Sequence, residues 1–159
     1  LELSSDDLLK EDKIELLVTT LPYVSALRDD QVIDGLARVV REGLTSDTTD
    51  KIDEVFEYRD TIARLSRGHL HLIAELQSAD PLTGKGRDLI ARDQPSIKAF
   101  LDKLVGECEY LGLIYDASSG TIDQPGYLGR RYAATEFGRR VWAYLEGTEP
   151  DTASESGAR

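Results

Sequence analysis

Along the first half of the chain, apolar residues recur every three or four positions. From Leu8 they run Ile14, Leu17, Val18, Leu21 and Val24, a spacing that predicts a helix with one apolar face. Pro22 is expected to kink or restart this segment. After Asp29 and Asp30, a second stripe comprises Ile33, Leu36, Val39, Val40 and Leu44, with acids near its start and Arg38 and Arg41 towards its end. The turn "TSDTTD" separates it from a third, made of Ile52, Val55, Phe56, Ile62 and Ala63. None of these helices is apolar all round, so each is expected to bury one face.

A fourth helix is predicted from Ser66, a candidate N-cap, through Leu70, Ile73, Ala74 and Leu76, with Pro81 beyond its end. "LTGKGRDLIARD" offers only the pair Leu89 and Ile90 and reads as a short or poorly formed fifth helix. The clearest pattern follows. Pro95, suited to a first helical position, leads Ile97, Phe100, Leu101, Leu104, Val105, Cys108 and Leu111, and Gly112 stands at a C-cap position. "LIYD" (113–116) and "RRYAA" (130–134), separated by a loop rich in Ser, Gly, Asp and Pro, predict a hairpin with a long tip. Thr135 would cap a last helix carrying Phe137, Val141, Trp142 and Leu145 and ending at Gly147. The tail "TEPDTASESGAR" has a disordered composition.

Composition adds bounds rather than chemistry. A chain of 159 residues with 40% apolar content suffices for one domain or two small lobes sharing a core. It contains no apolar run of the roughly 20 residues that would cross a bilayer. The acidic start "LELSSDDLLKED" is unlike a signal peptide, so the expected compartment is the cytoplasm, without membrane attachment. The lone Cys108 has no disulfide partner in the chain and cannot anchor a zinc site alone.

Charge is unevenly spread. Residues 1–66 carry 8 Lys or Arg against 16 Asp or Glu, residues 67–147 carry 10 against 11, and the last twelve carry 1 against 3, giving the net −11. Nucleic-acid affinity comes largely from Lys and Arg releasing counterions, so the acidic first half opposes it.

The order of helices, long-tipped hairpin and closing helix opened by T-x-x-G resembles the winged-helix domain over residues 66–147. "LGLI" (111–114) and "YAATEFGRRV" (132–141) carry the likeness, being similar to the L-G-L-I and Y-x-x-T-x-x-G end of many bacterial winged-helix proteins. The resemblance implies that the segment from Ser96 to Leu111 is a recognition helix and that the hairpin is a wing. The whole chain also resembles the bacterial Abi-alpha group associated with abortive phage infection, through its helix pattern with "LGLI" and "TEFG". The expected architecture is therefore mostly α: an acidic helical lobe (1–65) packed on a winged-helix domain with a two-stranded β wing (66–147), then a disordered tail (148–159).

If this module binds DNA, the candidate contacts are Ser96, Lys98 and Lys103 on the recognition helix, Arg130 and Arg131 at the wing base, and Arg139 and Arg140 on the last helix. Lys85, Arg87 and Arg92 would help. The outward helix face opposes this with Asp102, Glu107 and Glu109, and the tip "ASSGTIDQPG" carries one acid and no base. The ordinary alternative is that these arginines pair with neighbouring acids.

Other features carry less. His69 and His71, two apart on a helix, diverge rather than converge on a metal. "TGKGRD" lacks the spacing of a phosphate-binding loop. Phe137, Trp142, Tyr144 and Tyr132 suit a core better than a stacking platform. No catalytic constellation, metal set or cofactor motif stands out. The expected function is a non-enzymatic regulator that binds DNA and self-associates through its N-terminal helices; the alternative is a winged-helix protein-interaction module with an acidic docking lobe, in a role such as phage defence.

Overall fold

The computed structural model describes residues 5–120 and 129–148. Much of the expected hairpin tip and of the tail lies outside them. Among the described residues the chain forms seven α-helices, two 3-10 segments and one small sheet. Helices α1 (Ser5–Ala26), α2 (Asp30–Thr45) and α3 (Thr49–Ile62) come first. There follow α4 (Arg67–Gln77), β1 (Lys85–Gly86), α5 (Arg87–Asp93), a 3-10 segment (Pro95–Phe100), α6 (Leu101–Tyr110), β2 (Ile114–Asp116), β3 (Arg131–Ala134) and α7 (Glu136–Glu146). The antiparallel sheet has the order β1-β3-β2. No helix among the described residues is long and apolar enough to cross a membrane.

One continuous core joins the two halves. Leu16, Val32, Leu36, Val55 and Ile62 from the first three helices pack in the same cluster as Leu72, Ile73, Leu104, Leu113, Val141 and Leu145. Close approach is built in through small residues. A Cβ on Gly35 of α2 would meet the Leu145 side chain at 2.9 Å, so this glycine lets α2 lie tightly along α7. Arg38 then donates from Nη1 to the carbonyls of Tyr144 (2.6 Å) and Leu145 (3.1 Å). That satisfies orphan acceptors where α7 ends and places a cation at its negative end.

The motif residues touch one another. Thr135 caps α7 by accepting from the Gly138 N–H at 2.8 Å, and its hydroxyl donates to the Gly112 carbonyl at 2.6 Å. Its own N–H reaches the Leu113 carbonyl at 3.0 Å. A Cβ at position 138 would collide with that same Leu113 carbonyl, so only glycine fits. Gly112 (φ +70°) and Gly147 (φ +74°) occupy the left-handed conformation that ends α6 and α7.

Four sequence expectations are corrected. The sheet has three strands rather than two, because Lys85 and Gly86 pair with Tyr132 and Arg131. The segment 82–93 thus holds a strand as well as the short helix expected there. The expected single helix from Ser96 to Leu111 is broken at Phe100, whose φ of −129° and ψ of 19° separate the 3-10 turn from α6. Helix α1 continues through Pro22 as one helix, so the segment does not restart there. Its apolar stripe, moreover, does not face the core. Leu16 and Thr20 are buried, whereas Ile14, Val18 and Leu21 are 61%, 61% and 67% exposed.

Candidate nucleic-acid interface

A phosphate-binding surface needs cations that are free and adjacent, since each must release its own counterions into solution on binding. Six of the ten Lys and Arg residues in 67–147 instead lie within 4.0 Å of a carboxylate: Lys85, Arg87, Arg92, Lys103, Arg130 and Arg140. Arg87 grips Asp102 through two bonds, Nε to Oδ1 at 2.6 Å and Nη2 to Oδ2 at 2.9 Å. This fork holds the Asp102 carboxyl below its ordinary range.

On the recognition segment, Ser96 and Lys98 are exposed on the 3-10 turn, and Lys98 has no acidic partner among the described residues. Lys103 sits 3.6 Å from Glu107, one turn along α6. Of the two arginines at the wing base, Arg130 is largely exposed, 4.0 Å from Asp116. Arg131 donates from Nη2 to the Gly84 carbonyl at 3.1 Å, which ties β3 to the turn before β1. Its role there is to hold the sheet edge together. Arg140 reaches back to α3, with Glu54 at 2.9 Å and the Tyr58 hydroxyl at 3.4 Å, and lies 3.6 Å from Glu136 on its own helix. Arg139, next to it, is partly buried.

The candidate cations therefore sit in several groups, two of which adjoin at Asp102 and Gly106. Arg130 and Arg87 line a cleft of about 300 Å³ that also contains Asp102 and Glu109. Lys103 and Arg64 line another, with Asp102 and Glu107. Arg140 belongs to the α3–α7 seam. Lys85 joins Glu75 and Asp93 in a third group. Burial there pushes the Glu75 carboxyl up, but hydrogen bonds from Lys85 and Gln94 outweigh it and hold the group below its ordinary range.

The histidines take different parts. His69 is buried, its Nδ1 accepting from the Ser66 N–H at 3.0 Å and its Nε2 lying 3.0 Å from Glu107. An acceptor Nδ1 leaves the proton on Nε2, so the ring donates to Glu107 and fastens α4 to α6. Among the described residues no group of three metal-ligating side chains forms. Tyr132 and Tyr144 are core residues, and Phe137 and Trp142 pack against the core. The buried Cys108 thiol is pushed up to about 12 by loss of solvation, with Glu107 adding to it.

The residues that do line up unpaired are acidic. Asp50, Asp53 and Glu57 follow one another at intervals of three and four along α3, all exposed, with no ion-pair partner among the described residues. Their spacing places them on one side of the helix. The stripe leads to a groove of about 420 Å³ formed by Glu57, Asp60, Thr61, Arg64, Leu111, Gly112 and Phe137. Sequence reasoning registered the acidic half but not this stripe; the i, i+3, i+7 recurrence was its available signal.

The chain matches no protein-family model, and no curated protein or solved structure shows significant similarity to it.

Proposed function

We propose that residues 66–147 are a winged-helix module, that together with α3 of the acidic half it forms a protein-docking unit, and that the partner is a basic protein segment rather than DNA. The element order helix, strand, helix, helix, strand, strand, helix with the sheet order β1-β3-β2 supports the winged-helix reading. So does the contact between "LGLI" and T-x-x-G through Thr135, which gives the resemblance a physical basis.

The observation that carries the docking reading is the asymmetry of unpaired charge. Cations of the module are mostly held by acids, whereas Asp50, Asp53 and Glu57 stand free beside a groove walled by Leu111 and Phe137. A Lys- or Arg-bearing segment would lie along α3, with an apolar side chain entering the groove. The acidic half, at net −8 over residues 1–66, would steer such a partner in and make association sensitive to salt.

The test is anisotropy with a fluorescent Lys- and Leu-containing peptide. Asp53→Asn/Glu57→Gln is expected to weaken binding clearly more than Asp88→Asn/Glu146→Gln, a control with the same change in charge. Equal loss in the two variants would show attraction to net charge alone and overturn the assigned site.

A further inference from the structure

Among the described residues, the apolar stripe of α1 has no partner. At about 100° per residue, Ile14, Val18 and Leu21 point away from Leu16 and Thr20, the pair that α1 buries against α2 and α3. Leu17 and Val24 flank the stripe and are 43% and 37% exposed. A helix apolar on two opposite sides is normally covered on both. Here one side faces solvent over most of a helix about 33 Å long.

We propose that this face is where two copies of the chain associate, as an antiparallel pair of α1 helices about a twofold axis passing between Val18 and Leu21. The spacing 11, 14, 18, 21, 25 alternates three and four along α1, the repeat of a two-helix seam. An axis there sets Val18 against Leu21 and Ile14 against Ser25, and turns Glu11 towards Arg28 of the second copy, a residue that stands just past the end of α1. Glu11 and Arg28 are both exposed and have no ion-pair partner among the described residues. Reversed, the stripe brings the acidic start of one α1 to the basic residue just past the end of the other, with the apolar pair Val18 and Leu21 at the axis. A parallel pair would instead oppose like charges at Glu11.

Other occupants fit less well. Residues 149–159 offer no apolar side chain beyond alanine and proline. A bilayer surface favours helices with basic flanks, whereas the first half of α1 carries Asp6, Asp7, Glu11, Asp12 and Glu15 against Lys10 and Lys13. One helix face is smaller than the roughly 800 Å² per partner of a standard interface, so the association is concentration-dependent. This inference rests on α1 alone and is independent of the docking role assigned to α3.

Sedimentation velocity of the full chain across a concentration series tests it. The wild type is expected to pass from monomer to dimer as concentration rises. Val18→Glu/Leu21→Glu, at positions already exposed, is expected to stay monomeric with unchanged helical circular dichroism. Glu11→Lys should weaken the dimer several-fold and Glu11→Lys/Arg28→Glu should restore it. A wild type that is monomeric throughout, or a Val18→Glu/Leu21→Glu variant that still dimerises, overturns the proposal. Failure of the double exchange to restore association overturns the antiparallel arrangement.

Discussion

Thr135 offers the most direct probe of how the α6–β2 turn is joined to α7. Its Oγ1 accepts from the Gly138 N–H at 2.8 Å and donates to the Gly112 carbonyl at 2.6 Å. Replacement by Ala removes an N-cap, which costs about 1 kcal/mol. It also leaves the Gly112 carbonyl without that donor, a further cost of about 1 kcal/mol. The expected loss is about 2 kcal/mol, or about 4–8 °C in Tm for a chain of this size. Urea unfolding followed by fluorescence of Trp142, the single tryptophan, measures it. Thr135→Ser keeps the oxygen and should stay within about 0.5 kcal/mol of the wild type, the range of a substitution that preserves the special contact. An Ala variant as stable as the wild type, or a Ser variant as damaged as Ala, would refute the reasoning.

Three further outcomes follow from the same geometry. Gly138→Ala forces a methyl against the Leu113 carbonyl and should destabilise on the order of 3 kcal/mol by urea unfolding, more than Thr135→Ala. Because the folded Glu75 carboxyl is held below its ordinary value of 4.5, its contribution is complete above that value and lost as pH falls through the folded one. Urea midpoints measured over an acid series should therefore fall less steeply in Glu75→Gln than in the wild type, with Glu75→Gln about 2 kcal/mol less stable at neutral pH. Finally, Cys108, pushed up to about 12, should resist iodoacetamide at about pH 8 in the folded protein and react once urea unfolds it, as mass spectrometry would show.

The parts of the fold legible in the sequence are those fixed by local chemistry. Pro95, Thr135, Gly112 and Gly147 mark helix ends because capping and left-handed backbone depend on the residue itself. Strand β1 was not legible: two residues, one of them glycine, carry no strand preference and are strands only because β3 pairs with them. For α1, the periodicity revealed an apolar face but not what covers it. Leu16 and Thr20 on the opposite side turned out to be the residues packed on the core.

The site was less legible for a related reason. A sequence counts charges, but pairing decides which of them are available. Arg140 is 86 residues from Glu54, and Arg131 is 47 from Gly84. Nothing local announces those contacts. The Ser66 to His69 spacing, by contrast, is that of a capping box with histidine in the place of Glu or Gln, so the burial of His69 had a visible signal.

Anisotropy of a labelled random-sequence DNA duplex, titrated with the full chain at low salt and again at raised salt, separates the proposed protein-docking role from nucleic-acid binding. No salt-dependent binding is expected. Binding whose logarithm falls linearly with the logarithm of salt, and which is lost in Lys98→Ala/Arg130→Ala, would contradict that role.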